Sequence, residues 1–300
     1  MEQIIIHGDC LEEMKNIKDK SINMILCDLP YGTTECKWDS KIDLDKLWFE
    51  YRRIIKDNGV ICLFGNGYFS FELLKGGADL FKYKYVWIKT NSTMFVHSKN
   101  RPLVKHEDIL VFSKAPMGHK SLLREKRMPY NPQGLVLYNK KIKKGKGRFG
   151  TVIGNRPSHK DEVLREFTNY PCDVLEYPEN IGNKVHTCQK PIELCKFLIK
   201  TYTDENDIVL DNCAGSFSTL VACQETNRGG IGIEIEEKYV NIGKDRLKQK
   251  VLSNSSPPVQ TSNSTSLTSA KQKGFNKDYQ ETSEEVSQIA NATSDNPDIP

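Results

Sequence analysis

The residues best suited to chemistry stand at positions 28–31, where Asp28-Leu29-Pro30-Tyr31 follows the apolar run from Ile22 to Cys27. A strand ending there presents three tools at one tip: a carboxylate acceptor, a proline-stiffened turn that aims backbone carbonyls, and an aromatic face. That set suits gripping an exocyclic amino group on a flat heterocycle. Asp and Pro are also ordinary corner residues, so the tetrapeptide taken alone reads equally well as a plain turn.

A second constellation lies far along the chain. Asp211-Asn212-Cys213-Ala214-Gly215-Ser216-Phe217 closes an apolar strand and opens a helix, and Glu234 stands at the tip of the strand that follows. A small-residue loop lets a ligand approach the backbone, and the helix start supplies free N–H groups. An acidic residue about twenty positions on is well placed for ribose hydroxyls. Such a cradle serves NAD, FAD or S-adenosylmethionine. The loop lacks the full Gly-x-Gly-x-x-Gly that passes a pyrophosphate, which weighs against the dinucleotides.

Both constellations need strands to hold them. Residues 3–7 read as a buried strand stopped by Gly8-Asp9, residues 11–17 have helical spacing, and residues 22–27 form the strand that delivers Asp28. Helices are expected over 44–56, capped by Asn58-Gly59, and over 69–80. Strands follow at 60–64, 83–88 and 107–112. Past the middle of the chain the rhythm resumes with an amphipathic helix at 191–202, strands at 207–210 and 231–235, and a helix at 236–250. This alternation predicts an α/β fold, a mostly parallel twisted sheet with helices on both faces. Trp38, in the polar segment after Tyr31, reads as a lid anchor or as a tryptophan packed on the domain edge.

Residues 114–170 break the rhythm. They carry fourteen Lys and Arg against four Asp and Glu, densest at Lys140, Lys141, Lys143, Lys144, Lys146 and Arg148. Such a run is commonly a solvated loop, but as one insertion in a patterned α/β chain it suits phosphate contact, so DNA is the expected partner. The formal charge of +4 understates this: the last 48 residues hold three Lys against six acids, leaving +7 on residues 1–252. From Ser253 onward Ser, Thr, Asn and Gln dominate, and that tail is expected to be disordered. Nine scattered cysteines without a Cys-x-x-Cys pair point to neither a disulfide framework nor a zinc site, so no metal is expected. No stretch has the apolar length of a membrane span and the start does not read as a signal peptide, so a reducing cytoplasm is the expected location.

Together and in this order, the two constellations resemble the amino-directed DNA methyltransferases of the beta arrangement, in which the catalytic half precedes the target-recognition insert and the cofactor half comes last. Asp28-Leu29-Pro30-Tyr31 resembles that family's catalytic Asp-Pro-Pro-Tyr, and Gly8-Asp9-Cys10 its short motif near the cofactor adenine. Trp87-Ile88-Lys89 and the run from Lys105 to Phe112 are similar to segments that shape the target pocket. Lys190-Pro191 resembles the segment bordering the methionine moiety. The loop from Asp211 to Phe217 resembles the cofactor loop, and Ile231-Gly232-Ile233-Glu234 the ribose-binding strand. The likeness runs from about Gln3 to Leu247 and leaves the insert and tail unmatched.

The resemblance implies a Rossmann-like methyltransferase fold with permuted motif order. Residues 1–113 would be the catalytic half, 114–183 a basic target-recognition insert, 184–252 the cofactor half and 253–300 a disordered tail. It implies S-adenosylmethionine as cofactor, held by Asp9, Cys10, Asp28, Lys190, the loop 211–217 and Glu234. Double-stranded DNA is the implied partner, and a second copy of the chain or a cognate restriction nuclease would also suit the family. The setting would be a bacterial or phage-encoded protein at the nucleoid. Asp28 and the Leu29 carbonyl would accept the two amino hydrogens and localise the nitrogen lone pair, with Tyr31 stacked on a flipped base. Asp rather than Ser at the first motif position favours adenine N6 over cytosine N4. Rival readings are cytosine or RNA methylation, a catalytically silent DNA-binding relative, and a nucleotide-dependent oxidoreductase. Three departures from the pattern stand out: Leu29 for the first proline, Cys213 for a usual Phe, and Phe217 for the second glycine. A side chain at the last position is expected to crowd the cofactor or demand a different backbone path.

Overall fold

The computed structural model describes residues 1–32, 41–117, 126–143, 162–178 and 189–254, without the side chains of Lys143 and of residues beyond 248. In chain order the elements are β1 (Gln3–His7), α1 (Cys10–Glu13), β2 (Ile22–Cys27), α2 (Leu44–Ile54), β3 (Ile55–Gly65), α3 (Gly67–Gly76), β4 (Phe81–Thr93) and β5 (Val104–Ser113). Then come β6 (Val136–Lys143), β7 (Glu162–Thr168), β8 (Val174–Glu176), α4 (Ile192–Tyr202), β9 (Ile208–Asp211), α5 (Ser218–Glu225), β10 (Gly229–Glu234) and α6 (Glu237–Asn254). Trp38 lies outside the described residues. No described helix is long and apolar enough to cross a membrane.

Eight strands form one sheet in the order β1-β10-β9-β2-β3-β5-β4-β8. The first five run parallel, β5 is antiparallel to both its neighbours, and β4 and β8 return to the majority direction. Side chains alternate between two buried faces. Ile25, Cys27, Ile61, Leu63, Leu110 and Phe112 pack with Leu47, Trp48 and Tyr51 of α2 and Leu73 of α3. Met24, Leu26, Val60, Cys62, Ile109 and Val111 pack with Leu194, Leu198, Ile199 and Tyr202 of α4. Burial on both faces is why these strands read as nearly continuous apolar runs.

The pairing that matters most for the site joins β2 to β9, with Ile25 opposite Leu210. It sets the exits of two strands, leading to Asp28 and ending in Asp211, side by side at one edge of the sheet. That edge, at the carboxyl ends of the parallel strands, is where open α/β sheets form their ligand crevice.

Two local expectations are corrected. Helix α2 ends at Ile54, not at Asn58-Gly59, and Ile55 already belongs to β3, opposite Ile22. Gly59 lies inside β3 where the β2–β3 register shifts, and a Cβ there would stand 2.9 Å from the Asn23 carbonyl oxygen. This glycine permits close backbone approach at an irregularity in the strand instead of capping a helix.

Within the basic insert, β6 and β7 pair antiparallel as a separate two-stranded sheet. The flanking residues belong to the main body. Strand β8 pairs with β4, Met128 is buried with the α4 cluster, and Asn131 Nδ2 donates to the Thr203 carbonyl at 3.2 Å.

Candidate active site

Asp28 emerges from β2 into a pocket that also takes in Asp211, Glu234 and Lys190. Leu29 lines the pocket yet is only 2% exposed, its side chain packed into the core beside α2. The core contact explains how leucine occupies the place of a proline: packing holds the turn that a ring would otherwise stiffen. Tyr31 rests its ring on Phe69 of α3, with centroids 4.7 Å apart, and its hydroxyl donates to Asp28 Oδ1 at 3.2 Å. Pro30 lines the pocket between them.

Lys190, which precedes α4, donates to Asp28 Oδ2 at 2.5 Å and stands 3.2 Å from Glu107 Oε2 on β5. Its Nζ lies 4.9 Å from the Phe64 ring centroid, and Lys89 of β4 pairs with the other Glu107 oxygen. Two carboxylates and two ammonium groups thus interleave in a poorly solvated cleft. Burial raises the Asp28 carboxyl above its ordinary range, Lys190 opposing and Glu107 reinforcing. Burial works the same way on Glu107, but Lys190 and then Lys89 outweigh it and hold that carboxyl down. Lys190 remains firmly protonated, because its two carboxylate partners overcome a desolvation that would lower it.

On the far side of the pocket, Asp9 caps α1, its carboxylate accepting the Leu11 N–H at 2.9 Å, and Cys10 begins that helix. Asp211 is buried and its carboxyl is pushed up to about 6, chiefly by desolvation. Asn212 Oδ1 accepts from the buried Tyr51 hydroxyl at 2.6 Å, which ties the loop after β9 to α2. Glu234 accepts the N–H of Gly215 at 2.7 Å on one oxygen and that of Glu236 at 2.9 Å on the other. Each of those oxygens keeps a lone pair for a further donor. Cys213, Ala214, Gly215 and Ser216 complete the loop against the pocket.

Phe217 corrects the expectation drawn from it. It does not line the pocket: the side chain is fully buried in a cluster with Leu220, Val221 and Leu247. Its backbone adopts the left-handed conformation, φ 59° and ψ 29°, that a glycine would take there. Space for the ring comes from glycines on neighbouring elements. A Cβ at Gly232 of β10 would lie 2.8 Å from the ring, and one at Gly243 of α6 would overlap it. The backbone stays in the left-handed region open to glycine, and the aromatic ring packs in the core, outside the pocket lining.

The cytosine-C5 type of chemistry, which needs a cysteine thiolate, has no support at Cys27. That residue is buried in β2 and its thiol is pushed up to about 12 by burial. Glu107 and Lys89 lie within segments that the sequence singles out, but sequence reasoning marks neither as a site residue. The available signal is a charged residue heading an otherwise apolar strand, Glu107-Asp108-Ile109-Leu110-Val111-Phe112. Of the basic residues expected to meet DNA, Lys140 and Lys141 stand exposed on β6, with Lys140 Nζ 5.2 Å from the Tyr138 ring centroid. Lys143 ends that strand, and Lys144, Lys146 and Arg148 lie outside the described residues. Among the described residues no cluster could hold a metal ion.

A largely parallel sheet with acidic strand tips around a crevice at its carboxyl edge is a Rossmann-like α/β fold. More particularly, the chain belongs to the N6/N4 DNA methylases, whose family model matches residues 22–245. It is similar to the type II methyltransferase M.HpaI of Haemophilus parainfluenzae, 29% identical over 257 residues that cover 82% of this chain and 74% of that protein. The DNA adenine methyltransferase YhdJ of Escherichia coli K12 is 25% identical over 267 residues, 81% and 82% of the two chains. Two solved structures share the fold. The M1.HpyAVI–SAM complex aligns at a TM-score of 0.54 and 23% identity, covering 82% of this chain and 98% of that one. The cytosine-N4-specific PvuII DNA methyltransferase aligns at 0.57 and 15%, covering 84% and 91%. The chain is a DNA methyltransferase.

Proposed function

We propose that this protein transfers a methyl group from S-adenosylmethionine to the exocyclic N6 of adenine in double-stranded DNA, acting on a base turned out of the helix. The observation that carries the proposal is that Asp28 to Tyr31, residues 211–216 and Glu234 line one continuous pocket although they are remote in sequence. The donor and acceptor set fits the cofactor. Glu234 has acceptor capacity left for ribose hydroxyls, Ile235 and Tyr239 offer an apolar wall, and Asp211 is an anion suited to a sulfonium or ammonium. Bound there, S-adenosylmethionine supplies a methyl carbon made electrophilic by its sulfonium, which departs as a neutral thioether and leaves the positive charge on the amino nitrogen.

The remaining work falls to the chain itself. An exocyclic amine is a poor nucleophile while its lone pair is spread into the ring. Asp28 and the Leu29 carbonyl accept its hydrogens and draw the lone pair out of the ring plane. Asp28 then takes the proton that the methylated nitrogen sheds. Tyr31, braced by Phe69, stacks on the base. Placement and electrostatics supply the rate, with no covalent enzyme intermediate. Asp at position 28 favours adenine N6, and the adenine-specific relative supports it. The fold alone does not discriminate, because an N4-specific cytosine enzyme shares it.

Residues 114–183 serve as the target-recognition segment in this reading, with Lys140, Lys141, Lys143, Lys144, Lys146 and Arg148 on phosphates. Kinship with type II methyltransferases supports a role beside a restriction nuclease in a bacterial cytoplasm. The test is Asp28→Asn, isosteric but a poor proton acceptor. Turnover is expected to fall by about 10²–10⁴-fold, the range typical of losing an acid–base group, with DNA and cofactor binding kept. Digestion of wild-type product to nucleosides should yield N6-methyladenosine in its deoxy form. N4-methylcytosine would move the assignment to the other base, and an unimpaired variant would remove Asp28 from the chemistry.

A further inference from the structure

Of the three charged groups that interleave with Asp28, Glu107 has no part in the chemistry above, and its geometry is unusual. Its Oε1 is taken by Lys89, while its Oε2 is buried and has no hydrogen bond, although Lys190 Nζ stands only 3.2 Å away. At that distance the ammonium is well inside ion-pairing range, and reorienting it would complete the bond. At present Lys190 is directed at Asp28 Oδ2 instead, at 2.5 Å.

We propose that Glu107 is a positioning residue for methyl transfer: it draws the Lys190 ammonium off Asp28 when a substrate amino group engages that carboxylate, with Lys89 holding Glu107 in place. The inference rests on the reading of Asp28 as acceptor of the amino group. An ammonium hydrogen-bonded to Asp28 competes with the incoming amine and weakens the carboxylate as a proton acceptor. The lysine cannot retreat to water, because its side chain is only 11% exposed, and a buried unpaired ammonium is costly. A second anion within reach solves this. The swing moves the ammonium from one carboxylate to another, so neither position leaves it without an anionic partner. The geometry suits a small swing: Lys190 is followed by Pro191 and then α4, and its Nζ, 4.9 Å from the Phe64 ring centroid, already lies within ion-pairing distance of both carboxylates.

Among the described residues, the groups facing the Asp28 carboxylate are Tyr31 after β2, Lys190 before α4, Glu107 on β5 with Lys89 on β4 behind it, Asp211 on β9, and the thiols of Cys27 on β2 and Cys195 on α4. Glu107 pushes the Asp28 carboxyl up and Lys190 pulls it down. Removing the Glu107 charge therefore leaves the pull of Lys190 undivided, and the acid limb of the pH–rate profile moves to lower pH. Removing the Lys190 charge moves it to higher pH.

The experiment compares wild type, Glu107→Gln, Glu107→Asp, Lys190→Met and Asp28→Asn in single-turnover methyl transfer to plasmid DNA across pH, with S-adenosylmethionine binding followed by calorimetry. Glu107→Gln is expected to lose on the order of 10²-fold in rate, as for a misplaced reacting group, with cofactor affinity kept and its acid limb displaced downward. Glu107→Asp should return the limb to its wild-type position and restore part of the rate. Wild-type turnover in Glu107→Gln, or a slow variant whose acid limb has not moved, overturns the inference. Should Glu107→Gln fail to fold, Lys190→Met and Glu107→Asp decide: an unmoved limb in the first, or a displaced one in the second, overturns it. Full activity in Asp28→Asn would instead sink the parent reading, whereas an inert Asp28→Asn beside an unaffected Glu107→Gln would sink this one alone.

Discussion

At position 211 an aspartate is buried where its charge is disfavoured, and the carboxyl is pushed up to about 6. A folded-state value above the unfolded one means the folded chain keeps a proton that the unfolded chain releases. Over that interval the group destabilises the free protein as pH rises. A cationic cofactor reverses the preference by favouring the carboxylate. Under the proposed function, S-adenosylmethionine affinity should therefore weaken as pH falls through about 6, by at most about tenfold per pH unit for one linked proton. Titration calorimetry below that pH, in buffers of differing ionisation enthalpy, should register proton release on binding. Glu234, also raised by burial, would act in the same direction. Affinity that stays flat down to pH values where Asp211 is protonated would place the sulfonium away from this carboxylate.

Among the elements, the junction of β9, α5, β10 and α6 shows how a substitution that looks damaging is absorbed. Phe217 holds a left-handed backbone conformation that costs a non-glycine residue about 1–2 kcal/mol. Its ring fills a buried site, and emptying such a site costs about 3–5 kcal/mol. The second figure is larger, so Phe217→Gly should destabilise the fold despite relieving the backbone, by about 1–4 kcal/mol as the difference of the two, measured by urea unfolding. Gly243 is the complementary half of this arrangement, since a Cβ there would overlap the ring. Gly243→Ala should cost about 1–3 kcal/mol through overpacking, and much of that cost should disappear in a Phe217→Ala background. Additive losses would mean that the two positions do not share the space.

Over the whole molecule, charge is distributed unevenly. The α/β body pairs many of its acids and bases, whereas the β6–β7 hairpin carries Lys140 and Lys141 exposed on one strand. If these meet phosphates, exchanging both for Gln should weaken DNA binding equally on target and non-target duplexes. The slope of log K against log salt should become shallower by about 0.9 for each phosphate no longer neutralised, as read from binding isotherms at several salt concentrations. Methyl transfer at saturating DNA should be unaffected. A loss confined to the target sequence would instead assign these lysines to base reading.

Much of this is legible in the amino-acid sequence alone. Apolar runs at Ile22–Cys27 and Ile208–Asp211, the punctuation after them and the return of a carboxylate at Glu234 are local patterns, and each continuous run records a strand buried on both faces. They are sufficient to place both halves of the pocket and the order in which the chain presents them. What they could not contain was decided by the meeting of distant segments: the reversed direction of β5, the side to which the Phe217 ring turned, and the approach of Lys190 to Asp28 and Glu107. Periodicity reports burial along one element only. Strand direction, ring direction and ion pairing depend on what the rest of the chain brings alongside, so they exist only once the sheet has closed.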